Sequence, residues 1–566
     1  MEQLSALDTA FLNLETGSTP MHVGSLGIYD QSTVPGEKLG FKDIIRYFES
    51  RLPKVPALRS RMVDVPMGLD YPYWISDPDF DIEFHLRHIA LPQPGDWRQL
   101  CIQVARLHAR PLDMGRPPWE IYVIEGLDKI PGLPEGSFAI VSKVHHALVD
   151  GVFGAQLMAA MHDLGPNSKI NLPDKPWIVD RVPTGVELLS RAAFNSVRNV
   201  MNKGKVLGRY ALPAATNVVK KKLTGQSCNL FSAPKTRFND RVSSHRVFEA
   251  VSFDLSEIKK VKNALPDITL NDVMVNIVAG ALRRYLKSKG ELPEESMTGM
   301  LPISVRPDAK QNQQGNQISF MFPKIYTDID DTVERLKAIH KATAAGKDTN
   351  EQFGGGQALE SAALLPTTVT NLVMRSLVKY NVTNYVKPLF NTVITNVPGP
   401  QLPLYHAGAK LVSFYGSGIC YDTMGLFHIL FSYNGNITIS VTCCRNMMPD
   451  PAFYADCLRY SFKEMQKALL GEAKKTNVVT SIKKVSDKKV ADTDTKIVKP
   501  AAIEAKVTEA KATTARSEKA ATTKPVAEKK TTARKTVRKK SATTPSSAEK
   551  QPESVTEKET AKVKES

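Results

Sequence analysis

The 566-residue chain has only six cysteines, at positions 101, 228, 420, 443, 444 and 457, and no two stand in a CxxC pair. That spacing excludes a small disulfide-stapled scaffold and argues against a cysteine-built zinc site, so no metal is expected and a reducing compartment is. The opening Met1-Glu2-Gln3-Leu4-Ser5 lacks the basic start and apolar core of a secretion signal, which points to an intracellular protein. Long apolar runs are missing too. The weakly charged stretch Met424 to Cys444 reads as two alternating strands around Asn434-Gly435-Asn436 and not as a transmembrane helix. No Ser or Cys sits in a nucleophile elbow, so a covalent acyl-enzyme has little support. Residues 471–566 contain no Phe, Trp or Tyr and are rich in Lys, Ala, Thr, Glu and Ser. Such a tail cannot bury enough apolar surface to offset the entropy of ordering and is expected to be disordered.

Apolar residues make up 42% of the chain, enough for large cores, and the length is too great for a single one. Of the net charge of +17, +11 falls in residues 471–566, which hold 24 Lys+Arg against 13 Asp+Glu. The run Arg534-Lys535-Thr536-Val537-Arg538-Lys539-Lys540 resembles arms that contact polyanions or acidic lipid heads, and a merely solubilising tail fits equally well. Four regions follow: a strand-and-helix half over 1–180, a basic amphipathic linker over 181–240, a second strand-and-helix half over 241–470, and the tail. In the linker, Arg181, Arg191, Arg198, Lys203 and Lys220 to Lys222 alternate with Val186, Leu189, Ala193 and Val197. This pattern suits either a surface for anionic lipid or a linker helix packed on the body.

Within the first half, His22–Tyr29, Phe84–Ile89, Trp119–Glu125 and Ser137–Val144 alternate as strands, and Phe41–Leu52 and Trp97–Ala109 have helical spacing. The acidic stretch Trp74 to Ile82 reads as a solvated turn. In the second half, Thr269-Leu270-Asn271-Asp272 opens the apolar helix Val273–Leu286, Met300–Val305 is a buried strand, Thr332–Ala345 and about 360–382 are helical, and Pro451–Leu469 closes the region.

The stretch with chemical character is Val144-His145-His146-Ala147-Leu148-Val149-Asp150-Gly151, where the strand ending at Val144 meets a helix of period 3.6. A histidine at such a corner can take a proton near neutral pH. Alone it can drive acyl transfer by deprotonating an alcohol as that oxygen attacks a thioester, since thiolate leaves readily. Asp150 would shape the corner, and Gly151 would leave room for substrate.

Together with Ser5-Ala6-Leu7-Asp8, Pro20-Met21-His22-Val23-Gly24, Pro111-Leu112-Asp113, Asn271-Asp272, Ser304-Val305-Arg306, Asn396-Val397-Pro398-Gly399-Pro400 and Pro403-Leu404-Tyr405, these residues resemble the bacterial wax ester synthase/acyl-CoA:diacylglycerol acyltransferase family over nearly all of residues 1–470. The resemblance implies a mixed α/β fold of two chloramphenicol-acetyltransferase or condensation-like domains with a tunnel at their interface. It implies transfer of a fatty acyl group from long-chain acyl-CoA to a fatty alcohol or diacylglycerol. In it His146 is the general base, His145 has a lesser role, Asp150 and Gly151 shape the site, Pro111, Leu112 and Asp113 bind substrate, and Asn271 and Asp272 support or bind it. No cofactor is expected, acyl-CoA being a substrate. No specific protein partner is expected either, and the family setting is cytoplasmic, at the inner membrane or lipid inclusions. Pro117-Pro118-Trp119 departs from the expected Pro-Leu-Trp. Another hydroxyl acceptor, or an inactive lipid- or polyanion-binding scaffold, is the alternative.

Overall fold

The computed structural model describes residues 1–34, 36, 38–148, 151–167, 170, 172, 177, 179–196, 233–304, 318–353, 376 and 387–471. Asp150, Val305, Arg306, nearly all of the expected helix at 360–382, most of the basic linker and the tail from 472 lie outside the described residues. The described residues all fall within the unit Met1–Asn477.

The first half runs β1 (Glu2–Gln3), α1 (Ala6–Leu14), β2 (His22–Asp30), α2 (Phe41–Arg51), β3 (Ser60–Val63), β4 (Tyr73–Ser76), α3 (Ile82–His85), β5 (Leu86–Ala90), α4 (Trp97–His108), β6 (Trp119–Glu125), β7 (Phe138–His145) and α5 (Gly151–Ala160). A helix at 185–196, α6, follows. The second half runs β8 (Arg246–Asp254), α7 (Leu255–Asn263), α8 (Leu270–Ser288), β9 (Gly299–Ser304), β10 (Ile318–Met321), α9 (Thr332–Phe353), β11 (Thr392–Pro398), β12 (Tyr405–His406), β13 (Ala409–Ser417), β14 (Leu426–Tyr433), β15 (Asn436–Cys444) and α10 (Pro451–Leu470). The architecture is mixed α/β with one six-stranded sheet in each half, ordered β12-β13-β2-β7-β6-β5 and β10-β9-β11-β14-β15-β8.

One connection crosses the division at the linker. Strands β12 and β13, from the second half of the sequence, leave it and complete the first sheet, with β13 antiparallel to β2 from Lys410 opposite Asp30 to Ser417 opposite Gly24. The halves also share a core. Leu26, Val141 and Tyr122 of the first sheet pack with Leu100, Val104 and Leu107 of α4 and with Phe248 and Ala250 of β8. On the other face, Trp119, Ile121, Ile140 and Val144 pack with Ile44 and Phe48 of α2. Both faces of the first sheet are covered, which is why β7 is buried at nearly every position. In the second half α8 is buried all round, with every residue from Asp272 to Leu282 enclosed and most of them apolar.

Two local readings of the sequence change. The strand expected from Phe84 begins at Leu86 instead, because Asp81 accepts the Glu83 N–H at 2.9 Å and starts the short helix α3. The acidic stretch 74–82 is not simply a solvated turn. Trp74 to Ser76 lie in β4, and Asp77 is 5% exposed and 3.2 Å from Arg61 Nε. A small sheet, β1-β4-β3, forms there, and α6 packs Leu188 and Ala192 against its Val63, Val65 and Tyr73 surroundings. Among the described residues no helix is long and apolar enough to cross a membrane.

Several histidines are buried in both halves. Burial pushes the imidazoles of His108 and His162 down to about 4 and those of His406 and His428 down to about 3. The unfolded chain therefore binds protons that the folded one refuses. Their stabilisation is complete above an unfolded pKa of about 6.5 and is lost as pH falls towards 4, at most by roughly 1.4 kcal/mol per pH unit for each ring. Unfolding at pH 5.5 should take up more than two protons per molecule, measured by calorimetry in buffers of different ionisation enthalpy. Uptake below one would mean that these rings are protonated in the folded state.

Candidate active site

Strand alternation sorts the first sheet into two faces. His145, Lys143, Glu120, Tyr122, Arg87, His22 and Gly24 share one of them, because β2 pairs His22 with His145 and Gly24 with Lys143, β6 pairs Glu120 with Lys143, and β5 pairs Arg87 with Tyr122. Lys143 is 1% exposed, yet its charge is matched: Nζ lies 3.0 Å from Glu120 Oε2 and donates to the Arg110 carbonyl at 2.9 Å. Tyr122 donates to the same Glu120 oxygen at 2.7 Å. Gly24 is glycine by necessity here, since a Cβ would fall 2.5 Å from the Ser142 carbonyl and 2.6 Å from Ser417 Oγ. Through that gap His22 Nε2 donates to the His108 carbonyl at 2.7 Å and His108 Nε2 to the Gly418 carbonyl at 2.8 Å. Burial, reinforced by His108 and Lys143, keeps His22 neutral.

The two histidines of the motif diverge where β7 ends. His145 is sealed, with 0% exposure. Its Nδ1 accepts the Ala147 N–H at 3.1 Å, which assigns the ring proton to Nε2. That nitrogen lies 3.4 Å from Glu15 Oε2, close enough for an ion-pair approach but off the line of a hydrogen bond. His146 extends the ladder by one step, its N–H donating to the Met21 carbonyl at 2.8 Å. Its ring turns away, half-buried, and stacks on Phe11 with centroids 4.0 Å apart and planes 22° off parallel.

Helix α1 therefore holds both rings. Phe11 and Glu15 are four residues apart, so they lie on one face of the helix. The Ser5-Ala6-Leu7-Asp8 motif is the capping box that starts this helix: Ser5 Oγ accepts the Asp8 N–H at 3.1 Å, and the Ser5 N–H donates to the Asp8 carboxylate at 3.3 Å. Glu15 closes the cradle, with Oε1 accepting the Met21 N–H at 3.2 Å. Sequence periodicity marked Phe11 as apolar but gave no role to it or to Glu15. The usable signal was the helical spacing of the two just before Pro20-Met21-His22.

Gly151 is the first residue of α5. Leu112 is buried, Pro111 and Asp113 are exposed, and Asp113 accepts the Gly115 N–H at 2.9 Å in a tight turn. Lys143 fixes this loop through the Arg110 carbonyl, next to Pro111. In the second half, Asn271 accepts from Asn396 Nδ2 at 3.5 Å, so two of the motifs meet there. Asp272 is enclosed by protein. It is 1% exposed, completes the capping box of α8 with Thr269, and accepts from His340 Nδ1 at 2.9 Å and Thr343 Oγ1 at 2.7 Å of α9. Burial raises its pKa, but the hydrogen bonds from His340, Thr343 and Thr269 outweigh that and hold the carboxyl below its ordinary range.

The chain matches the wax ester synthase/diacylglycerol acyltransferase catalytic domain over residues 4–274 and the C-terminal domain of the same family over 314–466. It is 32% identical over 463 residues to an O-acyltransferase WSD of Acinetobacter baylyi, covering 79% of this chain and 93% of that protein. A putative diacylglycerol O-acyltransferase of Mycobacterium tuberculosis is 31% identical over 469 residues, 82% of this chain and 90% of its own. The solved wax ester synthase/diacylglycerol acyltransferase from Marinobacter aquaeolei VT8 superposes with a TM-score of 0.58 at 27% identity, over 83% of this chain and all of that one. The two-sheet architecture is shared with that solved acyltransferase. The chain belongs to the wax ester synthase/diacylglycerol acyltransferase family.

Asp272→Ala removes a buried acceptor of several hydrogen bonds and should cost about 2 kcal/mol of stability. Urea denaturation followed by circular dichroism checks this. A variant of unchanged stability that has lost turnover would instead make Asp272 a direct substrate contact.

Proposed function

We propose that this chain transfers a fatty acyl group from long-chain acyl-CoA to the hydroxyl of a fatty alcohol or diacylglycerol, with His146 as the general base. The observation that carries the reading is the division between a sealed His145 and a half-exposed His146 whose ring is fixed on Phe11. Of the two residues only His146 is partly exposed.

In this mechanism the imidazole of His146 removes the acceptor's hydroxyl proton as the oxygen attacks the thioester carbonyl. The C–S bond of the tetrahedral adduct then breaks, coenzyme A leaves as thiolate, and the imidazolium returns the proton to sulfur. No cofactor takes part. His145 is a positioning residue: its Nδ1 fixes the turn at Ala147, and its Nε2 lies 3.4 Å from Glu15 Oε2. Gly151 opens α5, and Asp150 would shape the corner before it. Pro111, Leu112 and Asp113 border the donor side, and a tunnel between the halves would admit both substrates. The long acyl chains favour work at a membrane or lipid-inclusion surface, where the Lys- and Arg-rich tail adds attraction to polyanions or acidic lipid.

Purified protein supplied with a labelled acyl-CoA should release coenzyme A only when an acceptor is added. His146→Ala should lower kcat by about 10³, in the usual range for losing a general base. Glu15→Gln, which keeps the shape of the cradle but removes its charge, should lower kcat about tenfold with little change in KM. An unaltered rate for His146→Ala would end the base assignment, and release independent of acceptor would favour an inactive binding scaffold.

A further inference from the structure

The polar strip that ends at His145 begins at a cluster of arginines on the rim of the first sheet. Arg87 of β5 and Arg116 of the 109–118 loop converge on one ring, with guanidinium carbons 5.3 and 4.1 Å from the centroid of Phe84. The two cations therefore lie within about 9.4 Å of each other, comparable with the Debye length of about 8 Å in physiological salt. Each has a carboxylate nearby but beyond hydrogen-bond distance, Glu120 at 3.8 Å from Arg87 and Asp113 at 3.7 Å from Arg116. Glu120 is already engaged by Lys143 at 3.0 Å and Tyr122 at 2.7 Å. Arg106, in the last turn of α4, and Arg110, just beyond it, are exposed, and neither has an ion-pair partner among the described residues. Favourable interaction with the carbonyl end of α4 accounts for those two alone. It does not account for Arg87 and Arg116, which belong to other elements.

This cationic rim neighbours the catalytic corner through Lys143. The Arg110 carbonyl is held by Lys143, and Lys143 stands two residues, about 7 Å of strand, from His145 on the same face. Arginine's planar fork suits phosphate oxygens. The acyl donor of the proposed reaction carries phosphates at the far end of its pantetheine arm, and its thioester must reach the His corner.

We propose that Arg87, Arg110 and Arg116 seat the phosphate groups of the donor's coenzyme A, with Phe84 keeping two of the guanidiniums in place. The pantetheine arm then follows the exposed Pro111 and Asp113 of the adjoining loop towards His146. This seat rests on the acyl-CoA reading of the site.

The test compares two thioesters of the same fatty acid, acyl-CoA and acyl-pantetheine, the second lacking the phosphates, in the full-length protein. Arg110→Ala/Arg116→Ala should raise KM for acyl-CoA at least tenfold, with kcat within about twofold and the kinetics of acyl-pantetheine unchanged. Lysine at both positions should restore much of the loss, and calorimetry should show the alanine variant binding 3′,5′-ADP at least tenfold more weakly than the parent. Unaltered KM for acyl-CoA in an active double variant overturns the phosphate seat alone, as does an equal rise for both thioesters. Absence of acceptor-dependent thiol release from the parent overturns the acyltransferase reading, and the seat with it.

Discussion

The site depends on the register in which β2 pairs with β7. His22 opposite His145 and Gly24 opposite Lys143 put the motif's first histidine on the face that carries Glu120, Tyr122 and Arg87. Side chains alternate across a strand, so a slip of one residue would turn His145 and Lys143 into the apolar layer of Trp119, Ile121 and α2. Both faces are buried, and that slip would bury a lysine without Glu120 and expose Val144 to a polar strip. Desolvation of an unpaired ammonium costs several kcal/mol, so the polar groups that look expensive also fix the register.

The same arithmetic explains the crossing strands. Without β13, the edge of β2 would end the sheet beside the His corner and leave its backbone groups unpaired. With it, Ser417 and Gly418 lie against His108, and the first sheet is closed by chain from the second half. Arg246 of β8 reinforces the link by donating to the Ser18 carbonyl at 2.6 Å and to that of Cys420 at 3.1 Å. The loop from Glu15 to Met21, which carries the cradle of the two histidines, is thus supported from both halves. A change in how the halves pack would reach the His pair through this loop.

Much of this was legible in the sequence because it is local. Alternation over Ser137–Val144 and a helical repeat after Gly151 located the corner, and the structure ends β7 at His145 and starts α5 at Gly151. The turn Asn434-Gly435-Asn436 separates β14 from β15 because Asn434 and Gly435 both adopt positive φ, as a tight hairpin requires. Non-local facts were not legible. Nothing in residues 409–417 says that they pair with a strand nearly four hundred residues earlier, because strand pattern encodes face and not partner. Asp272 reads as a functional carboxylate next to Asn271, and only the packing of α9 reveals His340 and Thr343 around it. Glu15 was silent for the same reason, since its importance lies in what the end of α1 touches.

The different fates of His145 and His146 follow from their being neighbours at a strand end. Within a strand, adjacent side chains point to opposite faces, and both faces of this sheet are filled. A second histidine inside β7 would therefore have been buried in the apolar layer. Because the strand stops at His145, the next residue is released from that constraint while its N–H is still anchored on Met21, and Phe11 supplies the surface on which its ring can rest. Stacking on Phe11 helps to hold the orientation of that ring. Moving the strand end by one residue in either direction would leave the sheet intact and remove the difference between the two rings. In this fold the position where β7 ends, more than the presence of two histidines, sets the two rings apart.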